Sequence, residues 1–183
     1  KQVFSILPIS RLFIKALVTS RFLYSENVLS LKHSRGLGSI IKYLESIYVK
    51  YGYHDQNTIN IYYEGASGAE KIKMIVDSYS NSPPSSIGNF KVISHQDFSL
   101  GGIKDADNEQ VPTEVFHFFT LENQSSFAVR ASGTEPKLKY YVFANKSISN
   151  LNELSSAKTE VSDNITKICE NIKSELNERI NME

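Results

Sequence analysis

The chain has 183 residues, of which 40% are hydrophobic and 22% charged, with twenty Lys+Arg against twenty Asp+Glu. That composition fits a soluble globular chain of one ordinary domain plus an appendage, and its balanced charge argues against a nucleic-acid partner, so any anion site must be a local arrangement. A single cysteine, Cys169, excludes a disulfide framework and a Cys-rich zinc site within the chain, and the expectation is a reducing, cytoplasmic setting.

Residues 3–23 are apolar-rich but are broken by Pro8, Arg11, Lys15 and Arg21. No uninterrupted apolar run there reaches the roughly 18–20 residues that span a bilayer, so no membrane partner is expected. The stretch has no acid before Glu26, a composition shared by transit peptides, and the start at Lys1 fits a piece of something longer or a processed product. Ile9, Leu12, Phe13, Ala16 and Leu17 have helical spacing, and Gly36 and Gly38 mark a break.

Ser39 is placed to cap a helix carrying Ile40, Ile41, Leu44, Ile47 and Tyr48, with Gly52 at its end. A short strand is predicted over residues 59–63 and a helix from about Ser67, with Ala69, Ile72, Ile75 and Val76 on one face. The Asn81–Ser86 run, with Pro83 and Pro84, reads as a connector. Further strands are predicted over 90–94, 115–120, 126–130 and 137–144. A polar loop is predicted over 97–112, and a hairpin turn at Glu122–Ser125. From Leu151 or Ser155 to Ile180, apolar residues recur at three and four, the pattern of a long amphipathic helix. The fold class expected is α+β: an antiparallel sheet of about four to five strands with two helices packed on one face, preceded by a helical N-terminal segment.

The segment Phe127–Tyr141 carries the most chemistry. Phosphate recognition wants fixed positive charge, hydroxyl donors and converging backbone N–H groups. Arg130 offers a planar fork, Ser132 and Thr134 offer hydroxyls, and Gly133 lets backbone approach a ligand closely. Lys137 and Lys139 are two apart on the exit strand and share a face, opposite Leu138, Tyr140 and Val142. A β-hairpin with a polar tip and ordinary surface lysines satisfies the same spacing.

Arg130-Ala-Ser-Gly-Thr-Glu-Pro-Lys137 followed by a strand resembles the phosphate-binding loop in the fourth and last domain of the α-D-phosphohexomutases. Leu44–His54, ending Tyr-Gly-Tyr-His, is similar to the helix leading from the third domain into the fourth, and Gly88–Val92 with Asp97 and Gly101 is similar to the second strand and its loop. Lys137-Leu-Lys-Tyr-Tyr141 looks closest to the phosphoglucomutase/phosphopentomutase branch. The resemblance implies a division into an N-terminal segment, residues 1–36, a linker helix, 37–54, and a C-terminal domain, 55–183. It implies that Arg130, Ser132, Gly133 and Thr134 hold the non-transferred phosphate of a hexose or pentose phosphate. Lys137 lies within reach, and Lys139 stands where relatives carry a second basic residue.

The family's serine loop, magnesium loop and sugar-reading loop are not found in this sequence. No cofactor site is therefore expected here, and magnesium is expected only for the parent enzyme. No residue is named as catalytic, and the remaining mutase domains are the expected partners of a truncated piece that is inactive alone. Asp105-x-Asp107 reads as a solvated loop, because hard cations need more oxygens. Glu135 reads as structural, and His33, His54, His95 and His117 have no ligand spacing. A protein-interaction module derived from the same domain is the alternative reading.

Overall fold

The structure, a computed structural model, describes residues 37–181 apart from 64, 66 and 106. The helix expected over residues 9–17 and His33 lie outside the described residues. The chain divides into two units: one takes in Gly101–Pro112 and the described residues up to Ile47, and the other comprises Tyr48–Leu100 with Thr113 onward.

Helix α1 (Leu37–Tyr51) crosses that division. Its Ile40, Ile41 and Tyr43 are exposed. It ends where Gly52, at φ +87°, donates its N–H to the Tyr48 carbonyl at 2.8 Å. That left-handed closure suits glycine, and a Cβ there would stand 2.9 Å from the Lys146 carbonyl oxygen. In the Gly101–Pro112 loop, the Asp105 carboxylate accepts the N–H groups of Asp107 at 3.0 Å and Glu109 at 2.9 Å. Asp105 therefore shapes its own turn.

In the second unit, β1 (Tyr53–Tyr62), α2 (Gly68–Asn81), β2 (Ser86–Ile87), β3 (Phe90–Asp97), β4 (Phe116–Leu121), β5 (Ser126–Ala131), β6 (Lys137–Lys146) and α3 (Leu154–Asn181) follow in order. Three-residue 3-10 turns stand at Phe98–Leu100 and Leu151–Glu153. The strands form one antiparallel sheet in the order β1-β6-β5-β4-β3-β2. Six strands exceed the four to five expected. The two-residue β2 is too short to leave a periodic signal, and β1 begins at Tyr53, six residues before the expected Ile59. Its early residues, His54–Asn57, are poor strand formers, and it is the regular ladder with β6 that holds them extended.

The period of two decides the layers. On β6, Leu138, Tyr140, Val142 and Ala144 are buried, whereas Lys137, Lys139, Tyr141 and Phe143 on the other face are partly exposed. Helix α2 turns Ile72, Ile75, Val76 and Tyr79 inward, and α3 does the same with Ala157, Val161, Ile165, Ile168, Ile172 and Leu176. Burying one of these Ile, Val or Leu side chains contributes about 1.5–3 kcal/mol. Helix α2 lies over β4, β5 and β6. Helix α3 touches β1 and β6 but also β2 at the opposite edge, so the sheet curls around it. At that edge Gly88, φ +56°, lies against α3 so closely that a Cβ would sit 2.3 Å from the Asn171 side chain.

A polar tether crosses the helix-covered core. The Tyr79 hydroxyl lies 3.0 Å from that of Tyr140 and donates to Glu175 at 2.8 Å. Arg179 stacks over the Tyr79 ring at 4.1 Å, bonds Glu175, and reaches the Ser78 hydroxyl at 2.9 Å and the Ser82 carbonyl at 3.1 Å. It thereby joins α2, β6 and α3 without leaving these buried groups unpaired. Ser67, expected to open α2, stands at its N-cap but makes no side-chain cap bond, because its own backbone is already helical (φ −79°, ψ −7°).

Candidate functional site

The register of β5 and β6 places Arg130 directly opposite Lys139, with Asn60 of β1 beyond Lys139 and Phe116 of β4 on the other side of Arg130. Directly opposed residues share a face, so both cations sit on the sheet face away from α2 and α3. The Ser132–Pro136 loop joins the two strands. Its neck is closed by the Ser132 N–H donating to the Lys137 carbonyl at 2.9 Å.

Around that neck the cations differ in what they touch. Arg130 pairs through Nη1 with Glu114 Oε1 at 3.1 Å, while its Nε is buried without a hydrogen-bond partner. Lys137 is drawn to the β1 edge, where its ammonium pairs with Glu135 and lies 3.5 Å from the Tyr62 hydroxyl. The hydrogen bond from Lys137 holds the Glu135 carboxyl below its ordinary range, and its counterpart pushes the Lys137 ammonium up. Glu135 thus directs its charge mainly to Lys137, the first residue of β6, with Lys139 acting on it more weakly. Among the described residues Lys139 forms no ion pair, and neither the Ser132 nor the Thr134 hydroxyl has a hydrogen-bond partner.

Gly133 is exposed, its φ is not in the left-handed region, and an added Cβ would meet nothing within 4 Å. Neither backbone conformation nor packing requires glycine at this position. Two open hollows lie elsewhere. One is lined by Ser156, Glu160, Asp163 and Lys167 among others and the second by Asn89, Phe90 and Asn171 with Lys167 and Glu170, and neither includes a residue of the 130–139 segment.

Two features carried no signal in the sequence. Glu114 lies outside both strands that flank the loop, and only the folded register brings it to Arg130. The second is a polar cluster on the helix-covered face. There His95 Nε2 lies 3.2 Å from His117 Nδ1, and Asp97 Oδ1 lies 3.8 Å from the same His117 nitrogen. His117 is almost fully buried, and His95 stacks on Phe119 at 4.3 Å. Burial lowers both imidazoles below their ordinary value, against the pull of Asp97. Burial pushes the Asp97 carboxyl up, but bonds from Ser80 and Ser99, with His117 nearby, outweigh it and leave it below its ordinary range.

His54 Nε2 lies 2.9 Å from the Tyr51 carbonyl oxygen at the α1–β1 corner. Cys169 is buried in the core, where desolvation pushes its thiol up, and the Asn57 amide approaches its sulfur at 3.8 Å. A buried, protonated thiol is a poor nucleophile. Among the described residues no group of three or more His, Cys, Asp or Glu is arranged to hold a metal ion. Among the same residues no helix is long and apolar enough to cross a membrane.

The second unit is therefore an α+β domain with an antiparallel sheet, helices α2 and α3 on one of its faces and a cationic strand–loop–strand at Arg130–Lys139. No family model matches it. It is 30% identical to a phosphoglucomutase of Staphylococcus saprophyticus over 116 residues, 61% of this chain and 20% of the relative. It is 31% identical to a phosphoglucomutase of Staphylococcus aureus strain MRSA252 over 103 residues, 54% of this chain and 19% of the relative. A solved structure of the exocytosis-sensitive phosphoprotein pp63/parafusin, a phosphoglucomutase from Paramecium in its open form, aligns with 70% of this chain and 22% of its own. It does so at 12% identity and a TM-score of 0.33, too slight a likeness to carry an argument. The chain spans about a fifth of the length of the curated relatives it matches. These sequence matches support a relation to the phosphohexomutase family over part of the chain.

Proposed function

We propose that residues 55–183 act as the phosphate-binding C-terminal domain of an enzyme of the phosphoglucomutase/phosphopentomutase type. The observation that carries this reading is Arg130 facing Lys139 across β5 and β6, at the mouth of a loop whose Ser132 and Thr134 hydroxyls are unclaimed. An oxyanion held there would take charge-assisted bonds from Arg130 and Lys139 and hydroxyl bonds from Ser132 and Thr134, with Lys137 at the rim. Gly133 supports the reading, since no demand of the fold accounts for glycine there.

In a whole mutase, fixing the phosphate that does not react orients the sugar for transfer at its other end. The phosphoryl transfer itself would use the serine, magnesium and sugar loops, which are not found in this sequence, so the 183-residue chain should not turn over sugar phosphates. Its ligand would be a hexose or pentose phosphate, its partners the remaining mutase domains, its parent enzyme's metal magnesium and its location the cytoplasm. NMR titration with glucose 1-phosphate tests the site. Shifts should centre on residues 130–139 and vanish in Arg130→Ala, and shifts elsewhere, or unaltered by that change, would sink the reading.

A second reading, a protein-interaction module derived from the mutase domain, draws on Ile40, Ile41 and Tyr43 of α1, which are 46%, 52% and 69% exposed. Light scattering showing a clean monomer at high concentration would count against it.

A further inference from the structure

We infer that Glu114 is an internal counter-ion of the candidate phosphate site, one that an incoming oxyanion must displace from Arg130. The inference rests on the phosphate reading of the loop. Because the Nε atom of Arg130 is buried, the guanidinium offers an approaching ligand its Nη edge, and Glu114 stands on that edge with Oε1 3.1 Å from Nη1. Carboxylate and phosphate oxygens compete for the same donors, so the fork cannot serve both fully.

Glu114 does not reach Arg130 by chance of a loose side chain. Its own N–H donates to the Phe98 carbonyl at 3.3 Å, and two residues on, the Phe116 ring packs edge-on against Phe98 at 5.0 Å. Phe116 is in turn the direct cross-strand partner of Arg130. The carboxylate is therefore delivered from a fixed point at the head of β4. Glu135 plays the same part for Lys137, so two of the three cations are already neutralised and Lys139 alone has no ion pair among the described residues. An anion would be drawn first to Lys139 and would then take Arg130 from Glu114. The Arg130–Glu114 pair is well exposed, and such pairs hold weakly, so Glu114 lowers the affinity of the site without closing it. In a site that must release its ligand, that is a useful setting.

The test titrates sulfate, and then inorganic phosphate, into the full 183-residue chain at constant pH and low salt. Glu114→Gln, which removes the charge and keeps the shape, should tighten sulfate binding about 1.4- to fivefold, the range that the worth of an exposed pair converts to. Glu178→Gln, an exposed acid on α3, should leave it unchanged, and Arg130→Ala should abolish it with or without Glu114→Gln. If Arg130→Ala abolishes binding but Glu114→Gln binds no tighter than wild type, the phosphate site stands and the role of Glu114 is overturned. Equal tightening in Glu178→Gln would reduce the effect to net charge and also overturn it. Should no sulfate binding depend on Arg130, the phosphate reading itself falls and the counter-ion goes with it.

Discussion

On β6 the two faces of the sheet part at consecutive residues. Leu138 has no exposed surface and lies in the core that α2 and α3 cover, and Tyr140, two residues on, bonds Tyr79 within the same core. Lys139 between them stands on the other face beside Arg130. On β5 Val129 is buried and Arg130 partly exposed, although Ala128, on the face of Arg130, is buried as well. On the helix-covered face the polar groups satisfy one another within the protein, through Tyr79, Tyr140, Glu175 and Arg179. On the other face the cations are held by single exposed carboxylates or by none. One pair of strands thus builds a packed frame on one side and carries a set of more exposed charges on the other, and the pleat keeps the two sets of side chains apart.

Leu138→Ala should break the frame most severely. The site is fully buried and has helix, β1 and β5 packed against it, so the cavity can close only in part. A loss of about 2–5 kcal/mol is expected, a large share of the roughly 5–15 kcal/mol that a domain commands. Urea unfolding followed by circular dichroism measures it. A loss within about 0.5 kcal/mol, the scale of an ordinary surface change, would mean that the division between the faces is wrong.

A smaller effect should come with pH, through the half-buried His95 and the buried His117 under α2. Burial holds His95 and His117 below their ordinary value of 6.5. As pH falls through 6.5, the unfolded chain takes up protons there while the folded chain resists, so the unfolded state binds more protons and stability declines. The loss should continue until the folded imidazoles titrate. Asp97 acts in a separate, more acid window, because its folded carboxyl lies below its ordinary 3.8 and its contribution is lost only as pH falls through that lowered value. Urea midpoints measured between pH 8 and pH 5 should fall with pH, and the slope should be shallower in His95→Gln. A flat profile would show that the two rings are solvated and that this part of the helix-covered face is not dry.

Periodicity made the frame legible in the sequence. The alternation of Lys137 to Ala144 and the three-and-four spacing of α3 each report a single burial direction, and both elements appear within a few residues of the expected bounds. The loop's donors were legible by kind, since arginine, hydroxyls and glycine stand close together in the chain. What they face was not. Glu114 meets Arg130 only because Phe116 and Arg130 come into register across β4 and β5. His95 meets His117 because β3 carries a bulge between Val92 and Ser94, which shifts the alternation by one and turns His95 and Asp97 toward the helices. An extra residue of that kind leaves no mark in a hydrophobic pattern. The short β2 and the polar first half of β1 were hidden for a related reason, because neighbouring strands hold them and their own propensity does not.

Lys139→Ala should give the smallest change in stability and for that reason separates the two faces most cleanly. The residue is one position from Leu138, so any general effect of disturbing β6 would appear in both variants. Its ammonium makes no ion pair among the described residues, and truncation leaves no buried group unpaired, so stability should move by no more than about 0.5 kcal/mol. Sulfate or glucose 1-phosphate affinity should nonetheless fall, because a cation beside Arg130 is lost from the mouth of the loop. Lys139→Arg should restore the affinity or improve on it, since the guanidinium adds a second donor in a fixed plane. Paired measurements of unfolding and of anion titration on the same samples decide the matter. A stability loss near that of Leu138→Ala would place Lys139 in the frame, whereas an unchanged affinity would remove it from the site and leave Arg130 to hold the anion with the loop hydroxyls alone.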